Sequence, residues 1–302
     1  MSWQSTGFNT ALRFFFKRRV ARGTALEQKA AMNALLERAA VHVGVPRGVV
    51  SRTERVGGVH CQFAKAEGVA DDAPVLLYLH GGAFMCGSAR THLNLAARLA
   101  MAANARVMLV DYRLTPDHVY PAPIEDLTTV YRLILESGIK SSSIAFGGDS
   151  AGANIALATL QKLPTLALPP PAACVLISPW LDLTLSGAST VDNAGRDSMV
   201  PVSLLRNAAR LYAADLDPAH PGLSPLFASM RGMPPLMIQV SSDEILFHDA
   251  LRLSQKAEAA GVSVVYRVWS GQAHGFPALA PYVPESVRSI KEIGDFLRSA
   301  FS

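Results

Sequence analysis

The chain has 302 residues, of which half are apolar and only 17% are charged. This length fits one large domain with a substantial core, and this composition excludes a disordered chain. The formal net charge of +4 is modest and the arginines interleave with acidic residues, so we expect no binding to nucleic acid.

The sequence shows no pattern typical of membrane insertion, export or disulfide formation. No apolar run is long enough to span a bilayer, so we expect no stable membrane association. The apolar run Phe14–Phe16 comes before the basic residues that begin at Lys17. In an export signal the basic residues come first, so we expect no export signal here. The three cysteines lie far apart in the sequence, which predicts neither disulfides nor a metal site. These features favour a cytoplasmic location.

The first 44 residues differ from the rest because they lack any strand pattern. Helical patches run from Asn9 to Arg22 and from Leu26 to Val41. We therefore assign residues 1–44 to an accessory helical segment.

A pattern of alternating strands and helices follows. Val49 to Val56 and Val59 to Ala64 flank Gly57-Gly58, which predicts a two-residue hairpin. Six further apolar runs are typical of strands buried on both faces: Val75 to Leu79, Val107 to Val110, Ile144 to Phe146, Cys174 to Ile177, Leu236 to Val240 and Val264 to Val268. Helical stretches separate most of them: Thr91 to Ala103, Ile124 to Ser137, Ala151 to Leu163, Leu246 to Ala260 and Glu285 to Phe301. The order predicts an α/β fold with a mostly parallel central sheet wrapped by helices.

One connection interrupts this alternation. Residues 178–235 contain no convincing strand, although a helix is predicted from about Val202 to Asp215. We predict a catalytic domain made of residues 45–180 and 223–302, with an insertion at residues 181–222.

The motif Gly148-Asp149-Ser150-Ala151-Gly152 lies between a predicted strand and a predicted helix. Such a turn lifts a serine above the sheet edge, and the glycines leave room for the neighbouring backbone. Ser150 is therefore the candidate nucleophile. The alternative is an ordinary connection in which Ser150 only caps a helix.

A serine nucleophile needs a base and an acid that orients the base, and in α/β hydrolases the acid and then the base follow the serine in the chain. His274 lies in the loop after the last predicted strand, which makes it a better candidate base than His220 or His248. Asp243 follows the strand at Leu236 to Val240 directly, and we predict that it is the acid. Glu244 and Asp249 are the competitors.

The oxyanion hole is expected after the strand at Val75 to Leu79. The tract His80-Gly81-Gly82-Ala83 supplies backbone N–H groups there, so Gly82 and Ala83 join Ala151 as the predicted donors. We interpret His80 as structural, because it precedes the serine. Cys86 is interpreted as a small buried residue rather than a pocket residue.

These tracts together resemble the hormone-sensitive-lipase-like family of α/β-hydrolase esterases, in the branch with Gly-Asp-Ser-Ala-Gly around the nucleophile. Further matching tracts complete the resemblance: His80 to Phe84, Asp111 to Pro116, Tyr120 to Ala122, Ser178 to Trp180, Asp243 with its following helix, and His274 to Phe276. The resemblance covers nearly all of the chain from about Val56. It implies an α/β-hydrolase fold, a Ser150–Asp243–His274 triad and a cap made by the N-terminal segment and the insertion.

One departure from the family concerns Ala83, where a third glycine is common. A left-handed backbone costs an L-residue roughly 1 to 2 kcal/mol, so we expect ordinary backbone angles at Ala83.

The sequence therefore predicts a carboxylesterase that hydrolyses esters of short to medium acyl chains through an acyl-enzyme, without cofactor or metal. Its partner is a small-molecule ester, and a homo-oligomer is compatible with the sequence. Two alternatives are a membrane-associated lipase that uses Phe14 to Arg19 and a ligand-binding receptor on the same scaffold.

Overall fold

A single eight-stranded sheet organises the computed structural model, which describes all 302 residues. The strands lie in the order β1-β2-β4-β3-β5-β6-β7-β8. Pairing is antiparallel between β1 and β2 and between β2 and β4, and parallel across the rest of the sheet. The strands are β1 (Val49–Val56), β2 (Val59–Ala66), β3 (Val75–Leu79), β4 (Arg106–Asp111), β5 (Ile144–Asp149), β6 (Ala173–Ile177), β7 (Leu236–Ser241) and β8 (Val264–Trp269).

Helices cover both faces of the sheet. They are α1 (Trp3–Ala11), α2 (Arg18–Val20), α3 (Ala25–His42), α4 (Ala89–Ala103), α5 (Ala122–Glu136), α6 (Ala151–Lys162), α7 (Ser189–Asp192), α8 (Val202–Ala213), α9 (Phe247–Ala259) and α10 (Pro284–Ala300). A π-helical turn over Leu12–Lys17 joins α1 to α2. The predicted α/β fold with a mostly parallel central sheet is confirmed, and each predicted strand begins and ends within three residues of an observed one. None of the helices combines the length and the apolar run needed to cross a bilayer.

The first helix begins at Trp3, several residues before the predicted start at Asn9. Ser2 caps it by accepting a hydrogen bond from the Ser5 amide. The amide and hydroxyl of Ser2 in turn donate to the carboxylate of Glu285 at 2.6 and 2.7 Å. Because Glu285 lies at the opposite end of the chain, the sequence around Ser2 alone could not indicate this anchor.

The N-terminal segment and the insertion both pack onto the main core. Phe16, Val20 and Met32 from the first, with Leu204 and Tyr212 from the second, belong to the same buried cluster as β3 and β5. The two segments also touch each other. The Asn207 amide donates to Gln28 at 3.0 Å, and the Ser203 hydroxyl donates to the Ala21 carbonyl at 3.1 Å. The two segments therefore form one packed unit with the core.

Candidate active site

Ser150 lies at the tightest turn of the fold, between the end of β5 and the start of α6. Its backbone is left-handed in φ, at φ 54° and ψ −118°. Its amide donates to the Ile177 carbonyl at 2.9 Å, which fixes the turn against β6. A non-glycine residue held in such a conformation is typical of a nucleophile at a strand-to-helix turn.

The two glycines of the motif are required by close approach. A Cβ atom at Gly148 would collide with the backbone of Gly152, and one at Gly152 would collide with the carbonyls of Leu79 and His80. The first turn of α6 therefore packs directly on the end of β3. This contact places the loop after β3 beside Ser150.

His274 is held by a buried carboxylate, and that carboxylate belongs to Glu244. The distance from His274 Nδ1 to Glu244 Oε2 is 2.7 Å, and both side chains are buried. Since a carboxylate can only accept, Nδ1 carries the proton and Nε2 is left as the basic nitrogen. This is the tautomer that a general base requires.

The other carboxylate oxygen of Glu244 is also fully engaged. Oε1 accepts hydrogen bonds from the Ser178 hydroxyl at 2.8 Å and from the Ser241 amide at 2.7 Å. The Ser178 hydroxyl in turn accepts from the Gly275 amide at 3.1 Å, next to His274. Ser178 thus joins Glu244 to the loop that carries His274, a contact that its motif did not reveal.

The prediction that Asp243 orients the histidine is wrong. Its carboxylate instead forms an ion pair with Arg196 at 2.8 Å and accepts from the Ser242 hydroxyl at 3.0 Å. The cause is the turn after β7, which is closed by the Glu244 amide donating to the Ser241 carbonyl at 3.3 Å. This turn brings Glu244 back over the strand end and directs Asp243 towards the insertion.

The remaining candidate side chains have other partners. Asp249 is buried and accepts from the amides of Leu181 and Asp182 at 2.7 and 3.0 Å, so it holds the start of the insertion. His248 accepts from the Ser189 amide, and His220 from the Gly222 amide. None of the three contacts the Glu244–His274 pair.

The backbone of Ala83 differs from the prediction, because its φ is 54° and that of Phe84 is 59°. The loop turns tightly here. The Gly82 carbonyl accepts from the amides of Met85 and Cys86 at 3.0 Å each, and the Phe84 carbonyl accepts from the Thr115 amide at 2.9 Å. These bonds hold the left-handed residues against a strain of about 1 to 2 kcal/mol each. The amides of Gly82 and Ala83 donate to no group within the protein.

A buried polar cluster that the sequence did not indicate lies behind Ser150. Asp149 Oδ1 accepts from the Tyr78 hydroxyl at 2.9 Å, and Oδ2 lies 3.6 Å from His92 Nε2. The Asp149 side chain also lies against Gly81, where a Cβ atom would collide with it. The signal available in the sequence was a charged residue at the last position of an otherwise apolar strand.

The histidines near the site have opposite electrostatic environments. Burial lowers the pKa of His80 to about 3, so this ring stays neutral, with Nδ1 bound to the Gly81 carbonyl at 2.8 Å. Burial also acts to lower the pKa of His274, but the charge and hydrogen bond of Glu244 outweigh it, with smaller contributions from Asp197 and Asp149. The net effect is a raised pKa for His274.

A cavity of about 290 Å³ opens beside His274 and Gly275. Its walls are mostly apolar and come from the N-terminal segment, from α4 and from the 3-10 turn at Phe276–Leu279. Among the lining residues are Leu12, Phe16, Leu36, Ala40, His92 and Met199. Cys86 does not line it, and burial raises the pKa of its thiol to about 12. No group of three or more His, Cys, Asp or Glu side chains is arranged to bind a metal ion.

The site brings together a strained serine, a carboxylate-bound histidine and unpaired loop amides at one edge of the sheet. Residues 76–278 match a family described by the alpha/beta hydrolase fold. The chain is 40% identical to an acetyl-hydrolase of Streptomyces hygroscopicus over 259 residues, which cover 86% of this chain and 85% of that protein. It is 36% identical to an esterase of Acinetobacter venetianus, with 82% of each chain covered.

Solved structures agree with these relatives. The crystal structure of an esterase from the bacterial hormone-sensitive lipase family superposes with a TM-score of 0.92, at 36% identity, covering 100% of this chain and 99% of that one. The chain therefore belongs to the hormone-sensitive lipase family of α/β-hydrolase-fold esterases.

Proposed function

We propose that this protein is a serine carboxylesterase that hydrolyses esters of short to medium acyl chains through an acyl-enzyme. The observation that carries the proposal is the buried His274–Glu244 pair, whose Nδ1 proton leaves Nε2 as a base. This pair follows β7 and β8, at the same sheet edge at which Ser150 follows β5. The related esterase and acetyl-hydrolase support the same reaction class.

The proposed mechanism divides the work among Ser150, His274 and Glu244. His274 Nε2 takes the hydroxyl proton of Ser150 while the serine oxygen attacks the ester carbonyl. The imidazolium that forms is stabilised by Glu244 and then donates its proton to the departing alcohol. Water, losing a proton to the same nitrogen, attacks the acyl-enzyme, and the imidazolium returns that proton to the Ser150 oxygen as the acid leaves.

Backbone amides stabilise the negative charge on the carbonyl oxygen. The amides of Gly82 and Ala83 have no partner within the protein, and Ala151 begins α6, where the first helical amides are free of intrahelical bonds. Asp149 positions this arrangement in our proposal, because it touches both the loop at Gly81 and the turn at Ser150. Donors fixed before the reaction lower the barrier without reorganisation.

The apolar cavity supports a preference for acyl chains of roughly two to eight carbons over long-chain triacylglycerols. Ala40→Phe fills part of the cavity, so it should shift the preference among chromogenic esters towards shorter acyl chains. Ala34→Phe, on the exposed face of the same helix, is the matched control. Unchanged chain-length profiles in Ala40→Phe would show that the acyl group does not occupy this cavity.

We further propose that residues 1–44 and 181–222 act as the cap of the catalytic domain formed by residues 45–180 and 223–302. Leu12 and Phe16 line the cavity, and Met199 lines it from the insertion. Deletion of residues 1–44 should therefore lower activity, change the chain-length profile and expose apolar surface. A truncated enzyme with the original profile and solubility would contradict the cap assignment.

A cytoplasmic location and independence of cofactors and metals remain part of the proposal. All three cysteines are buried and unpaired, which fits a reducing compartment. A receptor without catalysis is disfavoured, since it has no need of the carboxylate-bound tautomer of His274.

Pre-steady-state kinetics test the reaction directly. Mixing the enzyme with a p-nitrophenyl ester should release a burst of p-nitrophenol equal to the enzyme concentration, if deacylation is the slower step. Ser150→Ala should abolish the burst and lower kcat by roughly 10⁴-fold or more. Ser242→Ala, a nearby serine that donates to Asp243, is the control and should retain turnover. Turnover by Ser150→Ala near that of the parent enzyme would refute the proposal.

A further inference from the structure

The net positive charge of the chain arises at its N-terminus. The first 26 residues contain five basic side chains and no acidic one; the five are Arg13, Lys17, Arg18, Arg19 and Arg22. Five positive charges exceed the formal net charge of +4 of the whole chain. The rest of the protein is therefore slightly acidic, and the excess belongs to this one segment.

None of these five side chains forms a salt bridge. Arg13 donates to the carbonyls of Gly195 and Arg196, at 2.5 and 2.8 Å, and Lys17 donates to those of Ala194 and Asp197, at 2.7 and 2.6 Å. Carbonyl groups fasten these two cations to the insertion, where the charge of Asp197 lies near Lys17, and neither cation forms a salt bridge. The other three arginines are exposed and form no ion pair or hydrogen bond. Arg18 lies over the ring of Phe14 at 4.4 Å.

Large aromatic side chains project from the same segment. Trp3 is 81% exposed, Phe15 is 74% exposed and Phe14 is 49% exposed. Single exposed apolar residues are normal on protein surfaces, but three aromatic rings beside unpaired guanidinium groups are typical of a surface that meets a membrane interface. The opposite face of the segment points into the protein, because Leu12 and Phe16 line the cavity beside His274.

We propose that the surface formed by Trp3, Phe14, Phe15, Arg18, Arg19 and Arg22 docks reversibly onto an anionic lipid bilayer. The aromatic rings would enter the headgroup region while the arginines pair with lipid phosphates. Charge complementarity favours this occupant over a second copy of the chain, since a two-fold contact would oppose two sets of unpaired cations. The docked segment lies directly over the cavity, so substrate could enter it from the lipid surface.

Reversible docking of this surface differs from stable membrane association, which the sequence does not predict. No helix spans the bilayer, and binding through a few cations and rings is weak and sensitive to salt. It is also independent of the proposed reaction, because docking requires neither Ser150 nor His274.

Sedimentation with lipid vesicles tests the docking surface. The full-length protein is mixed with vesicles of phosphatidylcholine alone, or of phosphatidylcholine and phosphatidylglycerol in equal amounts, at low and at high salt. We expect sedimentation with the anionic vesicles only, decreasing at high salt. The variant Arg18→Ala/Arg19→Ala/Arg22→Ala should bind on the order of 100-fold more weakly. Trp3→Ser/Phe15→Ser should also lose binding.

The control variant Arg132→Ala/Arg210→Ala/Arg231→Ala removes three exposed arginines outside this segment and should bind like the parent protein. Hydrolysis of a water-soluble short ester should be unchanged in all variants, which verifies folding separately from docking. Absence of sedimentation with anionic vesicles, or wild-type binding by either test variant, would overturn the proposal. A dimer in light scattering that Trp3→Ser/Phe15→Ser dissociates would also overturn it, by showing that a second copy occupies this surface.

Discussion

Replacing Glu244 by glutamine changes one oxygen of the active site to an NH₂ group. In the native site, Oε1 accepts from the Ser178 hydroxyl and the Ser241 amide, while Oε2 accepts from His274 Nδ1. The two donors at Oε1 require an oxygen there, so the NH₂ group of the glutamine must face His274. Nδ1 then has to accept a hydrogen bond, and the imidazole proton moves to Nε2.

This tautomer cannot accept the proton of Ser150, so Glu244→Gln should lower kcat by about 10³- to 10⁴-fold. The opposite orientation, with the NH₂ group in place of Oε1, is unfavourable. It would leave the Ser178 hydroxyl and the Ser241 amide without an acceptor, at a cost of about 1 to 3 kcal/mol each. Glu244→Asp keeps the charge on a shorter side chain and should fall between the parent and the glutamine variant.

Asp243→Asn is the matched control, since it makes the same chemical change at the adjacent residue. The Asp243 carboxylate pairs with Arg196 in a partly exposed bridge, and such bridges contribute about 0 to 1 kcal/mol. Its kcat for a p-nitrophenyl ester should stay within about twofold of the parent. Both variants should unfold thermally near the parent temperature. A large loss in Asp243→Asn with little loss in Glu244→Gln would refute the assignment of Glu244.

Three further predictions concern the pH profile, the buried cluster and the motif glycines. The raised pKa of His274 means that kcat/KM should fall as the pH drops through a value above 6.5, and a flat profile from about pH 5 to 9 would argue against a histidine base. Asp149→Asn removes one of the carboxylates that raise this pKa, so the acidic limb of the profile should move to lower pH, and an unmoved limb would limit Asp149 to a structural role. Gly152→Ala should destabilise the fold in denaturant unfolding by about 2 kcal/mol or more, because the methyl group meets the Leu79 carbonyl, whereas Gly44→Ala meets no atom and should be neutral.

The sheet and the strained turn at Ser150 could be predicted because short-range patterns specify them. Strands buried on both faces appear in the sequence as apolar runs. The glycines around Ser150 indicate a close backbone contact, because a side chain at either position would collide with backbone atoms. The loop position of His274 followed from the order of the elements. The strand and turn patterns are local, whereas the position of His274 depends on the order of elements along the whole chain.

The parts that the sequence did not reveal depend on how the chain turns in space. The acid was misassigned because Asp243 and Glu244 are adjacent, and only the turn after β7 decides which carboxylate faces His274. Ala83 is left-handed because hydrogen bonds from Met85, Cys86 and Thr115 fix its loop. The contact of Asp149 with His92 joins residues that are 57 positions apart in the chain.

The most direct measurement is the mass-spectrometric location of a covalent inhibitor. A fluorophosphonate should add once to each protein molecule, and peptide mapping should place the adduct on Ser150. Ser150→Ala should gain no adduct, and labelling of the parent should slow as the pH falls through the pKa of His274. An adduct on Ser242 or on any other residue, or labelling of Ser150→Ala at the parent rate, would contradict the central claim that Ser150 is the nucleophile of this site.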